Sequence, residues 1–188
     1  MAVKIFIDQG HNPQNPNSGA EGNGYREQDL VYYIGVELAA LLNANGNFEA
    51  RLSRNSPDEI LGTSIATSLS ARTSAANAWG ANLFISIHAN ASDIVSATGC
   101  EAFVFSTGSV AYGAASEMLA GISANTGIPD RGVSARPTLY VLRATKMPAT
   151  LVETGFITNP SEATLLAERP DLFAKGMYEG LLRFYGIA

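Results

Sequence analysis

Short apolar runs alternate with longer stretches of helical periodicity from one end of the chain to the other. VKIFI, residues 3–7, is rich in β-branched and aromatic side chains and predicts a strand. Over residues 28–43 the apolar positions Leu30, Ile34, Leu38 and Leu41 recur at helical spacing, with Val31 and Leu42 widening the stripe. FEARLS predicts a second strand, the Ala-rich SARTSAANAW a helix that packs closely on a sheet, and ANLFISIH a strand apolar enough to be central. GCEAFVF reads as the next strand. A helix over residues 110–125 follows and stops at Gly127, a residue suited to a left-handed cap. TLYVLR and ATLVE predict two further strands. Asn159, Pro160 and Glu162 have the order of an N-cap, a first-turn proline and a reciprocal capping carboxylate; Pro170 opens a last helix that buries Phe173, Met177, Leu181 and Phe184.

Strands interleaved with helices predict an α/β fold, a largely parallel sheet with helices on both faces, whose loops at the carboxyl ends of the strands carry the sites. With 188 residues, 46% of them hydrophobic, and no repeat or Pro/Ser-rich linker, the chain reads as a single domain over residues 1–188. The net charge of −5 offers no basic stripe for phosphates, which excludes nucleic acid as the expected partner. Cys100, the lone cysteine, excludes an internal disulfide and a thiolate metal cage. The first apolar run ends at Asp8, too soon for a signal-peptide core or a membrane span. Membrane insertion is therefore not expected. The protein is exported by another route, is released on lysis, stays inside the cell, or is a piece of a longer chain.

The candidate chemistry lies where three apolar strands stop. The chain has two histidines, and both occupy the same kind of place: His11 follows IFIDQG, and His88 closes NLFISI. A third strand, ATLV, ends in Glu153. Two imidazoles suit zinc, and a catalytic zinc site commonly adds a carboxylate and leaves its fourth position to water. Glu27, at the start of the first long helix, is placed for that role, with Glu21 and Asp29 as rivals. An acidic residue offsetting the helix dipole is an equally good reading of Glu27. Asp8 is better placed to orient a ligand or its loop. Zinc so held would lower the pKa of a water to about 7, and a second carboxylate would carry its proton to the departing amine. The residues leave open which of Glu27 and Glu153 binds the metal and which moves the proton.

Five segments in order, IFIDQGHNP, GNGYREQDL, RLSRNSPDE with SLSARTSAANAW, LFISIHANAS and PATLVETGFITNPSE, together resemble the zinc-dependent N-acetylmuramoyl-L-alanine amidases of the type 3 family. The resemblance spans nearly the whole chain. It implies a single catalytic domain with a twisted, mostly parallel sheet of about six strands. It also implies one catalytic Zn2+ held by His11, Glu27 and His88, with Glu153 as general base and acid. The implied substrate is peptidoglycan, cut at the amide between N-acetylmuramic acid and L-alanine, as in an autolysin or endolysin acting at the bacterial cell wall. Two departures stand out. Gln9 replaces a common proline or alanine, and the segment between Arg54 and Arg72 is longer than usual, without an insert long enough to plug the site.

Other residues carry less. Asn90 contacts substrate or shapes a turn. Arg143 holds a stem-peptide carboxylate or is simply exposed. Arg54 and Arg72 tie loops to helices, and Tyr25, Tyr112 and Tyr140 are assigned no role. Two competing readings remain. A non-haem iron oxygenase also uses two histidines and a carboxylate, although the close His-x-Asp/Glu pair and Greek-key barrel pattern are missing; a catalytically inert wall-binding module would keep the scaffold alone.

Overall fold

A computed structural model describes residues 2–187, so the two terminal residues of the expected 1–188 domain lie outside the described part. In chain order the elements are β1 (Val3–Gln9), β2 (Glu21–Gly22), β3 (Tyr25–Arg26), α1 (Glu27–Ala44), β4 (Phe48–Leu52), α2 (Ile65–Trp79) and β5 (Leu83–Asn90). They continue as β6 (Cys100–Val104), α3 (Val110–Thr126), β7 (Asp130–Ala135), α4 (Tyr140–Ala144), β8 (Ala149–Phe156), α5 (Pro160–Glu168) and α6 (Pro170–Tyr185). Six strands form one sheet in the order β4-β1-β5-β8-β6-β7, and β2 pairs with β3 as a small separate ribbon. Strands β4, β1, β5 and β8 run parallel, while β6 lies antiparallel to β8 and carries β7 parallel to itself.

Alternation along the strands decides which layer each side chain joins. Ile5 and Ile7 of β1 and Leu83, Ile85 and Ile87 of β5 enter a large core with α1, α3 and α6. Their neighbours Phe6 and Phe84 turn to the opposite face, where α2 and α4 cover them with Ala76, Val141 and Leu142. Asp8, Ser86, His88, Glu101 and Glu153 have the same parity as that second face, so it becomes polar toward the carboxyl ends of β1, β5 and β8. Among the described residues no helix is long and apolar enough to cross a membrane.

Several local expectations change. TLYVLR does not form a strand: Leu142 and Arg143 donate to Leu139 O to close the turn of α4, and adjacent Val141 and Leu142 are both buried. A short apolar run fits strand and helix alike, and β6 already has β8 and β7 on its two edges. The other neighbour of β6 is β7, an exposed edge strand whose half-buried Val133 is its one aliphatic residue larger than alanine. Helix α2 begins at Ile65, five residues before the expected segment, because Ser64 and Thr67 form a reciprocal cap. Glu162 does not cap back onto Asn159; it is buried and accepts from Gly99 N at 2.9 Å and Phe156 N at 2.6 Å, tying β8 to the start of β6. Phe184 is half-buried rather than buried.

Helices α3 and α6 meet backbone to backbone. A Cβ on Gly121 would lie 1.9 Å from Gly176 O, and one on Gly180 would lie 2.4 Å from Glu117 O. Gly176→Ala is therefore expected to lower the unfolding free energy in urea by about 3 kcal/mol, the upper end of ordinary overpacking costs. Gly113→Ala, whose Cβ would meet only the half-buried Phe184 ring at 3.3 Å, should stay within about 1 kcal/mol of the parent.

Candidate metal and catalytic centre

Strand β1 stops because its last polar residues are held from several sides. Gln9 is fully buried; its side chain donates to Arg54 O at 3.2 Å and accepts from Arg54 N at 3.0 Å, and a Cβ on Gly35 of α1 would come within 2.6 Å of it. Gln9 thus locks β1 to the chain after β4. His11 then adopts φ 64, a left-handed conformation that turns the chain away from the sheet. The polar loop that follows is tied by Asn12, which donates to Pro16 O at 2.7 Å and Leu61 O at 3.0 Å.

Three elements converge on one carboxylate. Glu27 opens α1, and its Oε1 lies 2.9 Å from His88 Nδ1 and 3.2 Å from His11 Nε2, while also accepting from Ala89 N at 3.1 Å. Its Oε2 accepts from Ala20 N at 2.9 Å. Candidate ligand atoms of His11, Glu27 and His88 all lie within 4.8 Å of one another, the one such group among the described residues. Burial pushes the Glu27 carboxyl up, but hydrogen bonds to His11 and His88 and their charge outweigh it and hold the group well below the usual range. The rivals fall elsewhere: Asp29 pairs with Arg26 at 2.7 Å, and Glu21 is exposed on β2.

This donor set fits a divalent cation. An unprotonated imidazole nitrogen pointing at a carboxylate oxygen sets lone pair against lone pair, so the cluster needs protons or a cation among its atoms. Two imidazoles and one carboxylate, presented by β5, the turn after β1 and the first turn of α1, match a catalytic zinc site with a position left over. Two glycines make room for it. A Cβ on Gly10 would lie 2.6 Å from His88 Cε1, and one on Gly19 would lie 2.8 Å from Glu27 Oε2 and 2.9 Å from His11 Cδ2.

Glu153 sits one strand away. It is the parallel partner of His88 and the antiparallel partner of Glu101, so the three occupy one row across β5, β8 and β6. Its Oε2 is shielded from solvent and has no hydrogen-bond partner. Burial first, then the charges of Glu27 and Glu101, push its pKa up to about 8. Glu101 is the residue the sequence reading missed; it is the lone charge within the apolar GCEAFVF, which is the signal that could have found it.

The weaker candidates lie on the rim. Asn90 ends β5, donating to Glu101 Oε1 at 2.8 Å and accepting from Ala91 N at 2.9 Å. Arg143 is exposed on α4 with its guanidinium 5.1 Å from the Tyr140 ring centroid. Tyr140 itself, with Leu69, Val141 and Leu151, lines a recess of about 150 Å³ that reaches His11 and His88. A larger cavity of about 700 Å³ opens at the amino-terminal ends of β1 and β5, far from this chemistry. The arginines behave as expected: Arg54 donates to Gln28 O at 2.7 Å, and Arg72 pairs with Asp8 at 2.6 Å.

Asp8 and Arg72 are both almost fully buried. Burial raises the Asp8 carboxyl, but the Arg72 charge beside it and hydrogen bonds from Arg72 and Ser86 hold it below its ordinary value. A carboxylate depressed in this way stabilises the fold above its unfolded pKa of about 3.9, and that contribution is lost as pH falls through the lower folded value. Asp8→Asn leaves the buried Arg72 charge without its counter-charge and should cost about 3–5 kcal/mol near neutral pH. Urea unfolding at stepped pH should show the gap to the parent closing below about pH 4.

Comparison with known proteins places these features. The family model described as N-acetylmuramoyl-L-alanine amidase matches residues 5–183. The amidase LytC of Bacillus subtilis is 37% identical over 96% of this chain, and the amidase CwlM of Bacillus licheniformis is 35% identical over 99%. This chain spans 35% of LytC and 70% of CwlM. The crystal structure of an N-acetylmuramoyl-L-alanine amidase from Clostridium difficile 630 superposes with a TM-score of 0.86 at 30% identity, over 98% of this chain and 97% of that one. With the match running through all three converging elements and through Glu153, the chain belongs to the type 3 N-acetylmuramoyl-L-alanine amidase family.

Proposed function

We propose that this domain hydrolyses the amide between the lactyl group of N-acetylmuramic acid and the L-alanine of the peptidoglycan stem, acting at the bacterial cell wall. His11, Glu27 and His88 hold one zinc ion in this reading, and Glu153 moves the proton. The observation that carries it is the pairing of a compact two-histidine, one-carboxylate group with an unpartnered carboxylate on the adjoining strand.

Bound there, zinc supplies a Lewis acid that acidifies water and polarises a carbonyl. Glu153 accepts the proton of the attacking water on a carboxylate oxygen and delivers it to the amide nitrogen as the C–N bond breaks. Water and amide become the free lactyl carboxyl and the amino terminus of alanine. The site tunes Glu153 for both halves. Its raised pKa makes it a competent acid toward the leaving nitrogen, and a cation beside Glu27 neutralises one of the two charges that oppose its ionisation. The recess formed by Leu69, Val141 and Leu151 beside the histidines suits a small apolar group, such as the alanine or lactyl methyl.

A doubly wound α/β sheet is not the barrel an iron oxygenase of this ligand type would use, so the scaffold favours hydrolysis. An inert module has no need of a buried, unpartnered Glu153.

Glu153→Gln should lower turnover on purified walls by about 10² to 10⁴, with zinc content unchanged by metal analysis. The parent should release new alanine amino termini without new reducing sugar ends; reducing ends would assign a different bond. Glu101→Gln removes one of the charges that raise Glu153, so the acid limb of the kcat/KM profile should move to lower pH. An unmoved limb would take Glu101 out of the site.

A further inference from the structure

The polar row on β1 and β5 continues behind His88. Ser86 Oγ lies 2.7 Å from Asp8 Oδ2 and 3.2 Å from His88 Nε2. Asp8 gives its other oxygen to Arg72 Nη1 at 2.6 Å. All three of Asp8, Arg72 and Ser86 are almost fully buried, so water does not compete for these positions. An ionised carboxylate only accepts, and a hydroxyl has one hydrogen to donate. The Ser86 hydrogen is therefore committed to Asp8. What Ser86 offers His88 is a lone pair, and Nε2 must supply the hydrogen between them.

The opposite nitrogen faces the other anion. His88 Nδ1 lies 2.9 Å from Glu27 Oε1. The ring is thus held between two acceptors, each asking for positive charge or a hydrogen. A cation at Nδ1 meets the demand of Glu27 in place of a proton and leaves Nε2–H on Ser86.

We propose that Arg72, Asp8 and Ser86 form a positioning relay that reserves Nε2 of His88 for hydrogen bonding and presents Nδ1 as its metal-facing atom. The same guanidinium sets the other histidine. Arg72 Nη1 donates to Gln9 O at 2.6 Å, and Nη2 donates to His11 O and to Asn12 Oδ1, the latter at 3.1 Å. One side chain of α2 therefore fixes the backbone that carries His11 and, through Asp8 and Ser86, the ring orientation of His88. Lysine could not reproduce this, because its point charge lacks the planar fork that engages Asp8, the strand end and the loop together. The metal consequence rests on the zinc reading above; the hydrogen on Nε2 does not.

Ser86→Ala is the mildest test, since it removes one oxygen and leaves the Asp8–Arg72 pair in place. In zinc-loaded parent protein, nitrogen-15 spectra should show His88 with a hydrogen-bonded Nε2–H and a coordinated Nδ1. In Ser86→Ala that Nε2–H signal should move upfield while the backbone amide spectrum is kept, and competition with a chromophoric chelator should show zinc affinity weaker by about 10- to 100-fold. Asp8→Asn should weaken zinc further if it folds. Its amide would accept from Arg72 and donate to Ser86, so Ser86 would donate to Nε2 and call for the opposite tautomer. A coordinated Nε2 in the parent, or unchanged zinc affinity and an unchanged imidazole signal in Ser86→Ala, would overturn the relay. If the parent takes up no zinc, the metal reading fails, and the presence or absence of the hydrogen-bonded Nε2–H in the metal-free protein still decides the relay.

Discussion

Two imidazole nitrogens facing a single carboxylate oxygen at 2.9 and 3.2 Å form a cluster that is stable only with positive charge inside it. Much of the carboxyl edge of the sheet is arranged to keep those three side chains together. Glu27 is delivered by the first turn of α1, His88 by the end of a central strand, and His11 by a left-handed turn immediately after another. None of these placements is local in sequence, so the site exists only once β1, β5 and α1 have packed. Gly10 and Gly19 permit the approach, because any side chain there would occupy the space of an imidazole or of the carboxylate.

The fold supports this edge with buried charge rather than with apolar packing alone. Buried ion pairs are weak devices for stability but strong ones for geometry when every donor and acceptor is used. Arg72 is close to that limit, serving Asp8, two backbone carbonyls and Asn12, with only its Nε lacking a partner. On the other side of His88, Glu153 is placed in the opposite condition. It has burial and like charge but no hydrogen-bond partner for Oε2, which leaves that oxygen uncommitted. One sheet row thus joins a histidine held from both sides and a carboxylate left uncommitted, the pairing that the proposed metal-assisted hydrolysis would use.

Much of this was legible from residue order. The interleaving of apolar runs and helical stripes is a strong periodic signal, and it identifies β1, α1, β5, α3, β8 and α6 close to their observed bounds. Having only two histidines, each at the end of an apolar run, made the site visible, whereas the division of roles between Glu27 and Glu153 came from family resemblance. What escaped detection depended on three-dimensional partners. Strand β7 has little apolar content and is held by backbone pairing to β6, and α4 reads as a strand because a run of four apolar residues, Leu139 to Leu142, fits both periods. Glu101 and Ser86 matter through the residues beside them on neighbouring strands, and the register that sets those neighbours is not written in either segment alone.

The most direct test is diffraction from zinc-loaded crystals at energies on either side of the zinc absorption edge. The account predicts one strong anomalous peak within bonding distance of His11, Glu27 and His88, with Glu153 beside it and not coordinated. A peak bound by other residues, or no peak at this cluster in protein that contains zinc, would contradict it.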